Sequence, residues 1–76
     1  MIRKFLIANW DDADRRDRMA VAKLDSAMVC VGGFPLGGKK GEQGVVYRVE
    51  FRSELPSDDE ILSAFADNGF EVKPID

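Results

Sequence analysis

Val45-Val46-Tyr47-Arg48-Val49-Glu50-Phe51-Arg52 is the stretch on which the fold turns. Val45, Tyr47, Val49 and Phe51 alternate with Val46, Arg48, Glu50 and Arg52. A period of two, rich in β-branched and aromatic residues, predicts a strand with one face in the core and one amphipathic to polar face. On its C-terminal side, Pro56 precedes Ser57, and Glu60 follows three residues later, the pattern of a capping box. Ile61, Leu62 and Phe65 make the apolar stripe of the helix so started. Asn68-Gly69 supplies a left-handed stop, with Phe70 folding back onto the last turn. Phe70, Val72 and Ile75 then predict a short final strand containing Pro74.

On the N-terminal side the signals change. The stretch Gly32–Gly44 holds six glycines and one proline, which reads as a long, mobile hairpin connection with Lys39 and Lys40 near its tip. Ala27–Val31 is a short continuous apolar run, read as a strand. Asp11, Asp12, Asp14 and Asp17 mark a helix start, since acidic residues complement the positive end of the helix dipole. Asp11 or Asp12 caps that helix. It is expected to run to about Leu24, with Ala13, Ala20 and Leu24 along one stripe and Arg15, Arg16 and Arg18 solvated; Met19 to Leu24 also reads as extended chain. The first ten residues read as a strand. Phe5, Leu6 and Ile7 make it apolar on both faces, as a central strand is.

The predicted order is strand, helix, strand, strand, helix, strand. Right-handed crossovers and short connections favour an α+β, ferredoxin-like βαββαβ two-layer sandwich. It would have a four-stranded antiparallel sheet in the order 4-1-3-2, with two helices on one face. Pro35 and Pro74 then fall on the edge strands, where proline is tolerated. The central first and third strands contain neither Gly nor Pro.

Composition bounds the rest. The 76 residues allow one domain, residues 1–76. A chain of this size buries only about 60% of the surface its unfolded form exposes. With 45% hydrophobic and 33% charged residues it is not of disordered composition. Cys30 is the single cysteine and there is no histidine, so neither an internal disulfide nor a zinc site is expected. No apolar run approaches the ~20 residues of a membrane span. A reduced, cytoplasmic setting is the expectation, and no cofactor or metal is called for. The net charge of −3 is not the basic excess usual for nucleic-acid binders.

Each motif lacks a part its chemistry needs. Gly33 to Lys40 matches most of GxxxxGK[ST], but Lys40 stands where a hydroxyl must reach magnesium, and no helix opens after it. The Asp11–Asp17 cluster carries carboxylates suited to a hard cation, yet acids at a helix start also serve as caps. Cys30, read as mid-strand, is a small hydrophobe with no histidine to activate it.

Two resemblances to known families accompany the fold order. Residues 1–24, a strand ending in an Asp pair before an Arg-rich helix, resemble the small CRISPR-associated ferredoxin-like nuclease. That likeness implies a homodimer with a metal between the strand ends and Asp11 as a candidate ligand. Phe5-Leu6-Ile7-Ala8-Asn9-Trp10 and Val46-Tyr47-Arg48-Val49-Glu50-Phe51 are similar to the first- and third-strand motifs of RNA-recognition motifs, which implies the same fold. Their stacking positions are Leu6, Val46 and Arg48 here, where single-strand RNA binding uses aromatic rings.

Two helices cover only one face of such a sheet. If Phe5, Ile7, Tyr47, Val49 and Phe51 face them, then Leu6, Ala8 and Val46 face outward with Arg48, Glu50 and Arg52. An apolar strip rimmed by charges is the mark of an interaction surface. Trp10, at the end of the first strand, is either a rim-of-core residue or a binding hot spot. The expected activity is therefore non-enzymatic binding of a protein, a second copy or a different one, through the open face or an edge strand. Small chains of this kind commonly serve as inhibitors or adaptors, phage-encoded antagonists of host machinery among them. The alternative is a nucleic-acid-binding or metal-dependent nuclease domain. A basic stripe of Arg15, Arg16, Arg18, Lys39 and Lys40 would favour it.

Overall fold

Strand β1, Ile2–Ala8, alternates as its sequence requires. Arg3, Phe5 and Ile7 turn inward, Ile2, Lys4 and Ala8 stay exposed, and Leu6 is half-buried. The computed structural model describes residues 1–8 and 10–75. β3, Gly44–Phe51, alternates in the same way, burying Val45, Tyr47, Val49 and Phe51.

Among the described residues three helices form where two are expected. Residues 12–30 divide at Asp17 into α1, Asp12–Arg16, and α2, Arg18–Cys30. Asp17 is in extended backbone, and its carboxylate accepts the N–H groups of Met19 and Ala20, so the chain restarts a helix there. Local capping by an Asp side chain competes with helix continuation. α1 itself begins with a full capping box. Asp11 accepts from the backbone of Ala13 and Asp14, and Asp14 accepts from the backbone of Asp11.

The expected strand at Ala27–Val31 is instead the last turn of α2 and its cap. Leu24, Ala27 and Met28 are buried at helical spacing, whereas Val29 and Cys30 are exposed. Their i, i+3, i+4 pattern is the core stripe of a helix, displaced from the expected stripe, in which Ala13 is exposed. Gly32, at φ +85, ends the helix in the left-handed region.

The glycine-rich segment is not a loop. Gly33–Gly41 is β2, nine residues long and paired with β3 except at Leu36, where the register shifts and brings Phe34 and Lys39 to the same face. Only Glu42 and Gln43 form the turn, so Lys39 and Lys40 lie within the strand, opposite Val46 and Val45. A Cβ on Gly33 or Gly38 would stand 2.6 or 2.7 Å from the side chains of Val49 or Val45. Glycine in a strand marks such close approach.

The second half follows its reading more closely. Ser57 caps α3, Asp58–Asp67, and its hydroxyl accepts the Glu60 N–H at 3.2 Å. Gly69 takes φ +86, and Phe70 returns its N–H to the Phe65 carbonyl. β4 is short, Val72–Pro74.

The sheet is antiparallel in the order β2-β3-β1-β4, with β1 and β3 inside and Pro35 and Pro74 on the two edge strands. Its inner face packs on α2 and α3. Phe5, Ile7, Tyr47, Val49 and Phe51 meet Leu24, Ala27, Met28, Ile61 and Phe65. Phe65 makes T-shaped contacts with Phe5 and Tyr47 at centroid distances of 5.4 and 6.1 Å. No helix among the described residues is long and apolar enough to cross a membrane.

Candidate functional site

The register fixes what the outer sheet face displays. Leu6 lies opposite Val46 across β1 and β3, Lys39 lies opposite Val46 on β2, and Lys73 lies opposite Leu6 on β4. One row across all four strands thus reads Lys39, Val46, Leu6, Lys73. The next row sets Arg48 beside Lys4 and Gly37, and the one beyond sets Glu50 between Phe34 and Ile2. Ile75 continues the alternation of β4, donating its N–H to the Lys4 carbonyl.

Of the expected binding residues, Leu6, Ala8, Val46, Arg48, Glu50 and Arg52 share this face. Leu6, Val46 and Glu50 are half-buried, and Ala8, Arg48 and Arg52 are exposed. Arg52 donates to Glu50 at 2.6 Å and lies over the Phe34 ring, 4.8 Å from its centroid. That hydrogen bond holds the Glu50 carboxyl below its usual value. Three apolar members escaped the sequence reading. Ile2, Phe34 and Ile75 are 49%, 52% and 45% exposed. Phe34 falls in the stretch whose composition reads as a loop, and only the β2 register shows where it points.

Trp10 departs from the group. It is half-buried against the core, edge-on to Phe70 at 5.6 Å. It also helps line a cavity of about 240 Å³ between α2 and β2, with Val21, Leu24, Gly37, Gly38, Val45 and Tyr47 among the other walls. There the Tyr47 hydroxyl donates to Asp25 Oδ1 at 2.6 Å. Burial, reinforced by that bond, pushes the phenol's pKa upward.

The acidic cluster is occupied with local structure. Asp11 and Asp17 are N-caps, Asp14 completes the box, and Asp12 pairs with Arg15 at 3.0 Å and Lys40 at 3.8 Å. The Asp11 carboxyl is held below its ordinary value, chiefly by the Asp14 backbone N–H it accepts. The envisaged basic stripe is divided. Arg15, Arg16 and Arg18 line one shallow depression, Lys40 reaches Arg15's partner Asp12, and Lys39 is on the opposite face of the sheet. The phosphate-loop-like residues Gly33 to Lys40 are strand β2, and Cys30 is exposed at the end of α2.

Comparison with protein-family models, curated proteins and solved structures found no match to this chain.

Proposed function

We propose that this domain binds another protein through the uncovered face of its sheet, as an inhibitor or adaptor and without catalysis. One observation carries this. Ile2, Phe34 and Ile75, all exposed large apolar residues, share a single face with Leu6 and Val46. Apolar side chains gathered on one uncovered sheet face and interspersed with charge are what a docking site presents. The ferredoxin-like assignment of the fold belongs to the same proposal. It is supported by the strand order, which read from the β4 edge is β4-β1-β3-β2. A cytoplasmic setting is supported by the exposed, unpaired thiol of Cys30.

The test is an affinity pull-down from the native host with the wild-type chain and with Leu6→Asp/Val46→Asp. The double variant should keep its helical circular dichroism and lose the partner. Undiminished capture by the double variant refutes the face assignment.

A second reading, nucleic-acid binding, is favoured by the lysines and arginines on the same face. It requires that a single-stranded oligonucleotide bind there with an affinity falling steeply in salt.

A further inference from the structure

The open face differs in charge from the molecule that carries it. The chain has a net charge of −3. Lys4, Lys39, Arg48, Arg52 and Lys73 nevertheless lie on this face, against Glu50 and, at its end beside Ala8, Glu71. Glu50 is already engaged by Arg52. Among the described residues, no ion pair engages Lys39, Arg48 or Lys73.

The arrangement is specific. Lys39 and Lys73 stand at the two ends of the row whose middle is Val46 and Leu6. Neighbouring strands are ~4.8 Å apart, which puts the two lysine backbones roughly 14 Å from each other. An apolar pair is therefore flanked symmetrically by cations, each on an edge strand.

We infer that this face receives an acidic, apolar-centred segment of a different protein, with carboxylates on Lys39 and Lys73 and apolar side chains on Leu6 and Val46. The inference rests on the open-face reading above and gives its partner a chemistry. A second copy docked face to face is disfavoured, because a two-fold interface sets the same cationic patch against itself. Single-stranded nucleic acid is the weaker occupant because its bases need rings to stack on. The described strands offer one aromatic ring on this face, Phe34, and the Arg52 guanidinium already lies 4.8 Å from its centroid.

The experiment is a selection of displayed random 16-residue peptides on the full chain, followed by titration of the winners against three proteins. These are the wild type, Lys39→Glu/Lys73→Glu and Leu6→Asp/Val46→Asp. The expected winners pair acidic residues with an apolar centre, weaken about tenfold or more on the lysine reversal, and fail on the apolar double variant. Winners that fail on Leu6→Asp/Val46→Asp but ignore the lysine reversal overturn the charge inference and leave the open-face reading standing. Winners indifferent to both variants overturn the open-face reading itself. A single-stranded 12-mer DNA that displaces the winners at lower concentration than they bind, or a stable dimer by light scattering that Leu6→Asp/Val46→Asp dissolves, also overturns the proposal.

Discussion

The Tyr47 hydroxyl, carried from the centre of the sheet to the wall of α2, donates a 2.6 Å hydrogen bond to the Asp25 carboxylate. Removing it in Tyr47→Phe leaves a half-buried carboxylate without its donor. The expected cost is about 1–2 kcal/mol in urea denaturation at neutral pH. The same bond gives an alkaline signature. The native phenol's pKa is raised by burial and by Asp25, so above about pH 10 the unfolded chain ionises Tyr47 while the native state keeps its proton. The unfolded state then binds fewer protons, and stability falls as pH rises. Wild type should lose stability above about pH 10, and Tyr47→Phe should lose less over the same interval.

Arg3 lies inside the fold with its guanidinium 2.8 Å from Asp58 and 5.3 Å from the centroid of Phe5. Asp58 is largely exposed, so its charge is well screened. Asp58→Asn should cost under about 1 kcal/mol, as surface pairs do. Arg3→Ala also removes the buried stem and should cost about 2 kcal/mol, mostly from lost packing. Equal losses for the two variants, measured by chemical denaturation, would assign the stabilisation to charge instead.

Gly32 and Gly33 are neighbours with different reasons to be glycine. Gly32→Ala meets no atom but forces a side chain to φ +85, a cost of about 1 kcal/mol. Gly33→Ala drives a methyl into Val49 at 2.6 Å and towards the Met28 carbonyl at 3.1 Å, and overpacking of this kind costs about 1–3 kcal/mol. Gly33→Ala combined with Val49→Ala should cost less than the sum of the two single changes, because the second removes the methyl that the first meets. Gly32→Ala should gain nothing from that second change.

Asp17 holds two helices at one residue. Asp17→Ala should lower helical circular dichroism and cost about 1 kcal/mol, while Asp17→Asn, which keeps the capping oxygen, should lose little. A pH titration adds a second check at Asp11, whose carboxyl is held low by its capping bonds. The stabilisation from that cap is present above the ordinary carboxylate pKa and disappears as pH falls through the lowered one.

The second half of the chain was legible because its signals are local. The alternation of Val45 to Phe51 needs no knowledge of a neighbour, and neither does Ser57 beneath Glu60 or the Asn68-Gly69 stop. The first half was not, for two physical reasons. Ala27 to Val31 is apolar throughout, and a run of that length fits the end of a helix as well as a strand. Only the earlier Leu24, in step with Ala27 and Met28, separates them. Gly33 and Gly38 have no room for a side chain because Val49 and Val45 crowd them from across the sheet, a fact of tertiary packing that composition presents as a loop. The candidate face inherits the same division. Leu6, Ala8, Val46, Arg48, Glu50 and Arg52 followed from parity on β1, on β3 and just beyond it. Phe34, Lys39 and Lys73 needed the pairing of the edge strands, and Trp10 turned towards Phe70.

The order of the strands also bears on how the molecule is made. β1 precedes β2 in the chain, and the two are not paired in the finished sheet. Both partners of β1 come later, β3 from the middle of the chain and β4 at residues 72–74. β1, an inner strand of the finished sheet, therefore has both edges bare until β3 is made, and one edge bare until residues 72–74 follow. Such long-range closure slows folding and leaves the unpaired backbone of Ile2–Ala8 open to wrong strand partners in the meantime.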